Sequence, residues 1–171
     1  MTVQIIDNIL PQETNLRIIE ALSDHHWFIA ADKCTTKRLD KINSKTNAGF
    51  HVITIKDGKV ECNSILNIYG LIIFDIIKHK LKIKNASLKR LFWNMYLPNA
   101  ETEIHVDEDF SGYKSVLYSL HTTDGGIEID KVFYPDIMGQ AKVFDSHILH
   151  KGFGPKNDNV RFNLNIVFKP E

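Results

Sequence analysis

The sequence predicts a mainly β protein with flanking helices, the two N-terminal helices packed on one outer face of the strands. Three observations carry that expectation. From residue 88 onward, short alternating segments follow one another at close spacing, separated by turn signals, as in a sandwich or barrel. Before them, residues 12–24 and about 63–80 repeat apolar residues at helical spacing. Finally, two strand candidates, 88–97 and 160–168, each carry an apolar face and a polar, partly aromatic face.

In residues 12–24, "QETNLRIIEALSD", Leu16, Ile19 and Leu22 share one helical face, with Pro11 at the first helical position. Residues 32–48, rich in Lys and Thr, read as a surface loop. "FHVITIK", 50–56, alternates like a strand and ends at an Asp57-Gly58 turn. The second helix has a broad apolar face suited to covering a sheet. Strand candidates then run over 88–97, 102–107, 113–121, 126–130, 140–145, 147–151 and 160–168.

In 88–97, Leu91, Trp93, Met95 and Leu97 share one face, and Arg90, Phe92, Asn94 and Tyr96 the other. In 160–168, Phe162, Leu164, Ile166 and Phe168 oppose Arg161, Asn163, Asn165 and Val167. A solvated outer face would explain either polar set alone. Two such sets containing aromatic residues suggest a polar cavity backed by an apolar outer layer. A polar lumen is costly unless its groups bind something.

A chain of 171 residues is expected to form one domain, 1–171, with helices and supporting strands in 1–85 and core strands in 86–171. Hydrophobic and charged shares of 43% and 25% are those of a soluble globular protein. Zero formal net charge supplies no field for a polyanion, so neither a nucleic-acid nor a membrane partner is expected. Two cysteines, Cys34 and Cys62, make neither a disulfide framework nor a zinc motif. "MTVQIIDNILPQ" lacks the blocks of a signal peptide, and the apolar run "ILNIYGLIIFDII" is interrupted by Asn67 and Asp75. A cytoplasmic location is expected; the oligomeric state is left open.

The chemistry concentrates in "ETEIHVDEDF" and "FDSHILHKGFGPKNDNVRF". His105 and Asp107, two apart on a strand, point to one face about 6.5–7 Å apart along the backbone and can converge on one ion. A further histidine would complete two imidazoles and a carboxylate, a set that leaves open positions on a non-haem iron. His147 and His150 compete for that role, because three residues apart they face opposite ways. A hairpin centred at Pro155-Lys156 would set His150 opposite Arg161, and so on the lumen face, with His147 opposite Leu164. A one-residue slip would reverse the choice.

These residues resemble the Fe(II)- and 2-oxoglutarate-dependent oxygenases, in particular short prolyl-4-hydroxylase-like members of bacteria and bacteriophages. The resemblance lies in His105-Val-Asp107, in "FDSHILH" ending at His150, and in Arg161 eleven residues later. Tyr96 in "NMYLP", the segment "YSLHTTDGG" and the opening "IIDNILPQE" also match. Ser119 stands where many members carry tyrosine, and His121 where asparagine is common.

The resemblance implies a double-stranded β-helix of the jelly-roll or cupin type. It implies His105, Asp107 and His150 as iron ligands and catalytic residues, and Fe(II), 2-oxoglutarate and O2 as the reacting set, with ascorbate as accessory. Arg161 would hold the far carboxylate of 2-oxoglutarate, joined by Tyr96 and Asn163. Hydroxylation of an unactivated C–H bond with release of succinate and CO2 would follow, on a peptide or protein side chain such as proline, or next on a small molecule. Asp107 argues against halogenation, since related halogenases carry a small residue there. The rival reading is a cupin-like metal-binding module without oxygenase turnover. His25, His26, Trp93, Met95, Glu103 and Lys151 are read as structural or solvated.

Overall fold

The structure is a computed structural model that describes residues 3–24, 28–29, 50–157 and 160–171. Two helices, α1 (Gln12–Ser23) and α2 (Ile65–Lys80), precede most of the strands. The strands are β1 (Gln4–Ile6), β2 (Phe28–Ile29), β3 (Phe50–Lys56), β4 (Lys59–Val60), β5 (Ala86–Tyr96), β6 (Lys114–Ser119), β7 (Thr123–Ile129), β8 (Val132–Asp136), β9 (Ala141–Asp145), β10 (His150–Phe153) and β11 (Arg161–Pro170). A major antiparallel sheet runs β1-β9-β6-β11-β5-β3-β2, with β4 paired to β3. A minor sheet runs β10-β7-β8. The two face one another: Tyr96 of the major sheet packs over Gly152 of the minor, and Arg161 reaches Asp136.

Strand parity sorts the side chains as their sequence spacing requires. Leu91, Trp93, Val116, Tyr118, Val143, Leu164, Ile166 and Phe168 point outward and meet Ile18 and Leu22 of α1 and Leu66, Ile73, Phe74 and Ile77 of α2 in one buried cluster. The helices therefore cover one outer face, as expected. Inside the sandwich a smaller apolar cluster joins Leu117 and Phe144 to Ile127 and Ile129. The remaining inner face is polar, and the candidate site lies there.

Local chemistry accounts for the element ends. Ser64 caps α2 by accepting from the Leu66 N–H at 3.3 Å, and Lys78, His79 and Lys80 complement the dipole at its other end. Gly70 lets α2 approach the sheet, since a Cβ there would lie 2.5 Å from Leu91. Asp57 and Gly58, both at positive φ, make the expected turn into β4. Pro11 stands just outside α1 as its cap rather than at the first helical position. No described helix is long and apolar enough to cross a membrane.

Three expectations need correction. Residues 102–107 form no strand; Glu101 and His105 make only isolated bridges, to Phe153 and His150. The strands β1 and β8 lay outside the expected set, β1 being short and β8 interrupted by Pro135. The expected hairpin does not form: β10 pairs with β7, setting His150 opposite Ile129, while β11 pairs with β5 and β6, setting Arg161 opposite Tyr96. The connection is pinned under residues 97–100 instead. Gly154 N–H donates to Ala100 O and Asn99 N–H to Pro155 O, both at 2.7 Å, and a Cβ on Gly154 would meet Leu97 O at 2.2 Å. The chain thus crosses from one sheet to the other where a tight turn was expected. The expected loop 32–48, Cys34 and His25–Trp27 lie outside the described residues.

Candidate active site

His105, Asp107 and His150 come together with one donor atom each, all within 4.8 Å of one another. His105 and His150 are held by reciprocal backbone hydrogen bonds of 3.0 and 2.9 Å, which bring their rings to 4.3 Å, tilted by 57°. Each ring donates its Nδ1–H to a backbone carbonyl, Glu103 O and Ile148 O, at 2.8 Å. That fixes the tautomer and leaves both Nε2 atoms free, as metal ligation requires. Desolvation lowers the pKa of both imidazoles, that of the buried His150 and that of the more exposed His105, which favours their neutral forms.

The Asp107 carboxylate is almost fully enclosed. Arg90 on β5 donates to its Oδ1; Ser115 on β6 and Asn165 on β11 donate to its Oδ2, at 2.5 and 3.2 Å. Burial alone would push the carboxyl up, but Arg90, His150, Ser115 and His105 together hold it at about 2. Two neutral imidazoles and an ionised carboxylate suit a divalent iron. His147 is exposed and takes no part. His150 therefore faces inward as expected, although through pairing with β7.

At the other end of the lumen Arg161 is fully buried, its guanidinium 4.6 Å above the Tyr96 ring. Its Nε and Nη2 donate to Asp136, the latter at 3.3 Å. Ser119 donates to Asp136 Oδ1 at 2.8 Å and accepts from Lys142 Nζ at 3.1 Å. Ser119 thus joins Lys142 and Asp136 in one buried network. Among the described residues two buried donors, Arg161 Nη1 and Asn163 Nδ2, find no hydrogen-bond acceptor within reach, although the Tyr96 side chain also interacts with the Arg161 guanidinium; Asn163 Oδ1 accepts from Asn94 at 3.0 Å. Orphaned buried donors on one face of β11 fit an anionic, multi-oxygen ligand such as 2-oxoglutarate.

The other singled-out residues fall elsewhere. His121 Nε2 accepts the Phe162 N–H at 2.8 Å, which makes it a strand-end histidine. Lys151 pairs outward with Glu101 at 2.6 Å. A cleft of ≈ 720 Å³ beside the start of α1 includes His121 but none of the residues above. The roles of Arg90, Ser115, Asp136 and Lys142 were missed in the sequence. For Arg90 and Lys142 the signal was parity: each shares a face with inward aromatics, Phe92 and Phe144.

No family model matches the sequence, and no curated protein matches it. Solved structures do. The viral collagen prolyl hydroxylase of Paramecium bursaria Chlorella virus-1, as its 2-oxoglutarate complex, aligns with TM-score 0.61 over 100% of this chain and 97% of its own, at 14% identity. The carbocyclase SnoK of nogalamycin biosynthesis gives 0.71 over 98% and 79%, at 12% identity. HygX of Streptomyces hygroscopicus, with nickel and 2-oxoglutarate bound, gives 0.69 over 98% and 82%, at 6% identity. The chain has the fold of the 2-oxoglutarate–Fe(II) oxygenases. That fold is the jelly roll the resemblance implied, within the sandwich or barrel expected from the strand pattern, with β9-β6-β11-β5 as its broad sheet and β10-β7-β8 opposite.

Proposed function

We propose that the protein is an Fe(II)- and 2-oxoglutarate-dependent dioxygenase that hydroxylates an unactivated C–H bond. The observation that carries this reading is the His105–Asp107–His150 group, its Nε2 atoms free, on the same inner surface as Arg161 and two unpartnered buried donors. Bound iron and 2-oxoglutarate would supply, with O2, an oxidative decarboxylation to succinate and CO2 coupled to hydroxylation. His105, Asp107 and His150 would hold the metal. Ser115, Asn165 and Arg90 orient the carboxylate, so that Asp107 need not reorganise when a cation arrives. Arg161 and Asn163 would bind the cosubstrate's far carboxylate, and Tyr96 flanks the guanidinium and closes that end from water.

A peptide or protein side chain, proline included, is the favoured substrate, since a collagen prolyl hydroxylase and a bacterial prolyl-4-hydroxylase are among the matches that span nearly the whole of both chains. A small molecule ranks second, in line with SnoK. Arg90, Phe92 and Asn94 on the inner face of β5, with His51 stacked on Phe92 at 5.5 Å, form the surface such a substrate would meet.

The test has two stages. Under anaerobic conditions, Fe(II) with 2-oxoglutarate should give the visible charge-transfer band of a chelated 2-oxo acid, and Arg161→Ala should weaken it. A succinate-release screen over peptide, amino-acid and nucleoside pools then identifies the substrate class. Metal binding without any band would favour the cupin-like module.

A further inference from the structure

The guanidinium that would receive the cosubstrate already has a carboxylate. Arg161 and Lys142 are fully buried and Asp136 is 1% exposed, so the three charges share one volume shut off from water. Asp136 takes the Nε and Nη2 edge of Arg161 and lies 3.7 Å from Lys142 Nζ. Arg161 and Lys142 thus bring two cationic groups to a single buried carboxylate, while burial lowers the Lys142 pKa and Asp136, with Asp7 more weakly, opposes that. The same place holds the unpartnered Arg161 Nη1 and Asn163 Nδ2. Excess charge and spare donors both ask for one more carboxylate.

We propose that Asp136 and Lys142 set the charge of the far-carboxylate pocket, so that it takes one carboxylate and rejects a neutral end. The inference rests on the 2-oxoglutarate reading above and deepens it. Asp136 is a positioning residue: by holding the guanidinium along one edge it leaves Nη1 directed away from itself. Lys142 acts through charge. Without it, Arg161 and Asp136 form a neutral pair with no net pull on an anion; with it, the pull is restored. Ser119 ties the two together, accepting from Lys142 and donating to Asp136. A serine here has the size to admit the lysine, which a tyrosine would displace.

The experiment compares anaerobic binding of 2-oxoglutarate and of 2-oxopentanoate, which keeps the chelating end but lacks the far carboxylate, to the Fe(II)-loaded protein. Lys142→Met should weaken 2-oxoglutarate binding by about tenfold or more, with 2-oxopentanoate unaffected. Adding Asp136→Asn to Lys142→Met leaves Arg161 as the sole charge and should restore binding to within about threefold of the starting protein. Lys142→Gln, which keeps a donor to Ser119 without the charge, serves where the methionine variant does not fold. A purely structural lysine would lower the melting temperature yet leave the ratio of the two affinities unchanged. That outcome, or a double variant as weak as the single, overturns the inference alone. Failure of the unsubstituted protein to bind 2-oxoglutarate overturns the functional reading, and this inference with it.

Discussion

At Asp107 burial and charge pull in opposite directions, and charge prevails. The carboxyl sits at about 2 against an ordinary 3.8, so its ionised form is favoured in the folded state. The stabilisation is fully present above about pH 4 and is lost as pH falls through the folded value, amounting to about 2 kcal/mol. Urea titrations of the metal-free protein between pH 5 and 2 should show that loss, and Arg90→Met should flatten it. The histidines are lowered too, but by desolvation, which outweighs the upward pull of the Asp107 charge. With the pKa of His105 and His150 lowered, protons compete with a metal less than at unperturbed imidazoles, so Mn(II) affinity by calorimetry should fall less from pH 7.5 to 6.5 than two ordinary histidines would give. His105→Ala, Asp107→Ala and His150→Ala should each abolish metal binding and succinate release, whereas His147→Ala should retain both. At this scale the sequence was informative in placing His105 and Asp107 side by side, although the strand they were expected to share does not form. It was silent on Asp136, which follows a proline in an unforeseen strand and whose arginine partner lies 25 residues away.

Among the elements, the passage from β10 to β11 shows how one inward orientation can follow from two different pairings. Parity about a hairpin put His150 inward; the true partner of β10 is β7, and the inward direction comes from that register instead. Alternation reveals which face a residue takes but not which strand lies beside it, because pairing across sheets is decided by contacts distant in sequence. The two helices were legible because their apolar spacing is local. Residues 102–107 looked like a strand for the same reason, yet they pair only at single points. Two glycines separate packing from site geometry. Gly70→Ala and Gly154→Ala should each cost about 1–3 kcal/mol by overpacking, read from denaturant midpoints. Only Gly154→Ala should also weaken metal binding, because its segment links His150 to Arg161.

The whole molecule separates what holds it together from what works. The larger core lies between the helices and the outer face of the broad sheet, and none of His105, Asp107 or His150 belongs to either apolar cluster. Stripping metal with a chelator should therefore leave the far-ultraviolet circular dichroism unchanged while removing the charge-transfer band with 2-oxoglutarate. Four apolar residues of α2, Ile65, Ile68, Leu71 and Ile72, remain exposed on its outer side. The sequence signalled the broad apolar face of this helix but could not say which part of it the sheet would cover.

One strand bears on both ends of the lumen. From β11, Asn165 touches the Asp107 carboxylate, and four residues earlier Arg161 holds the opposite end. A β-strand rises about 3.3 Å per residue, so the two backbone positions are about 13 Å apart, a length fixed by hydrogen bonds to β5 on one side and, from Asn163 onward, to β6 on the other. In the proposed enzyme β11 is thus a ruler: the chain length of the acid bridging metal and guanidinium is measured by backbone, which no side-chain substitution readily changes.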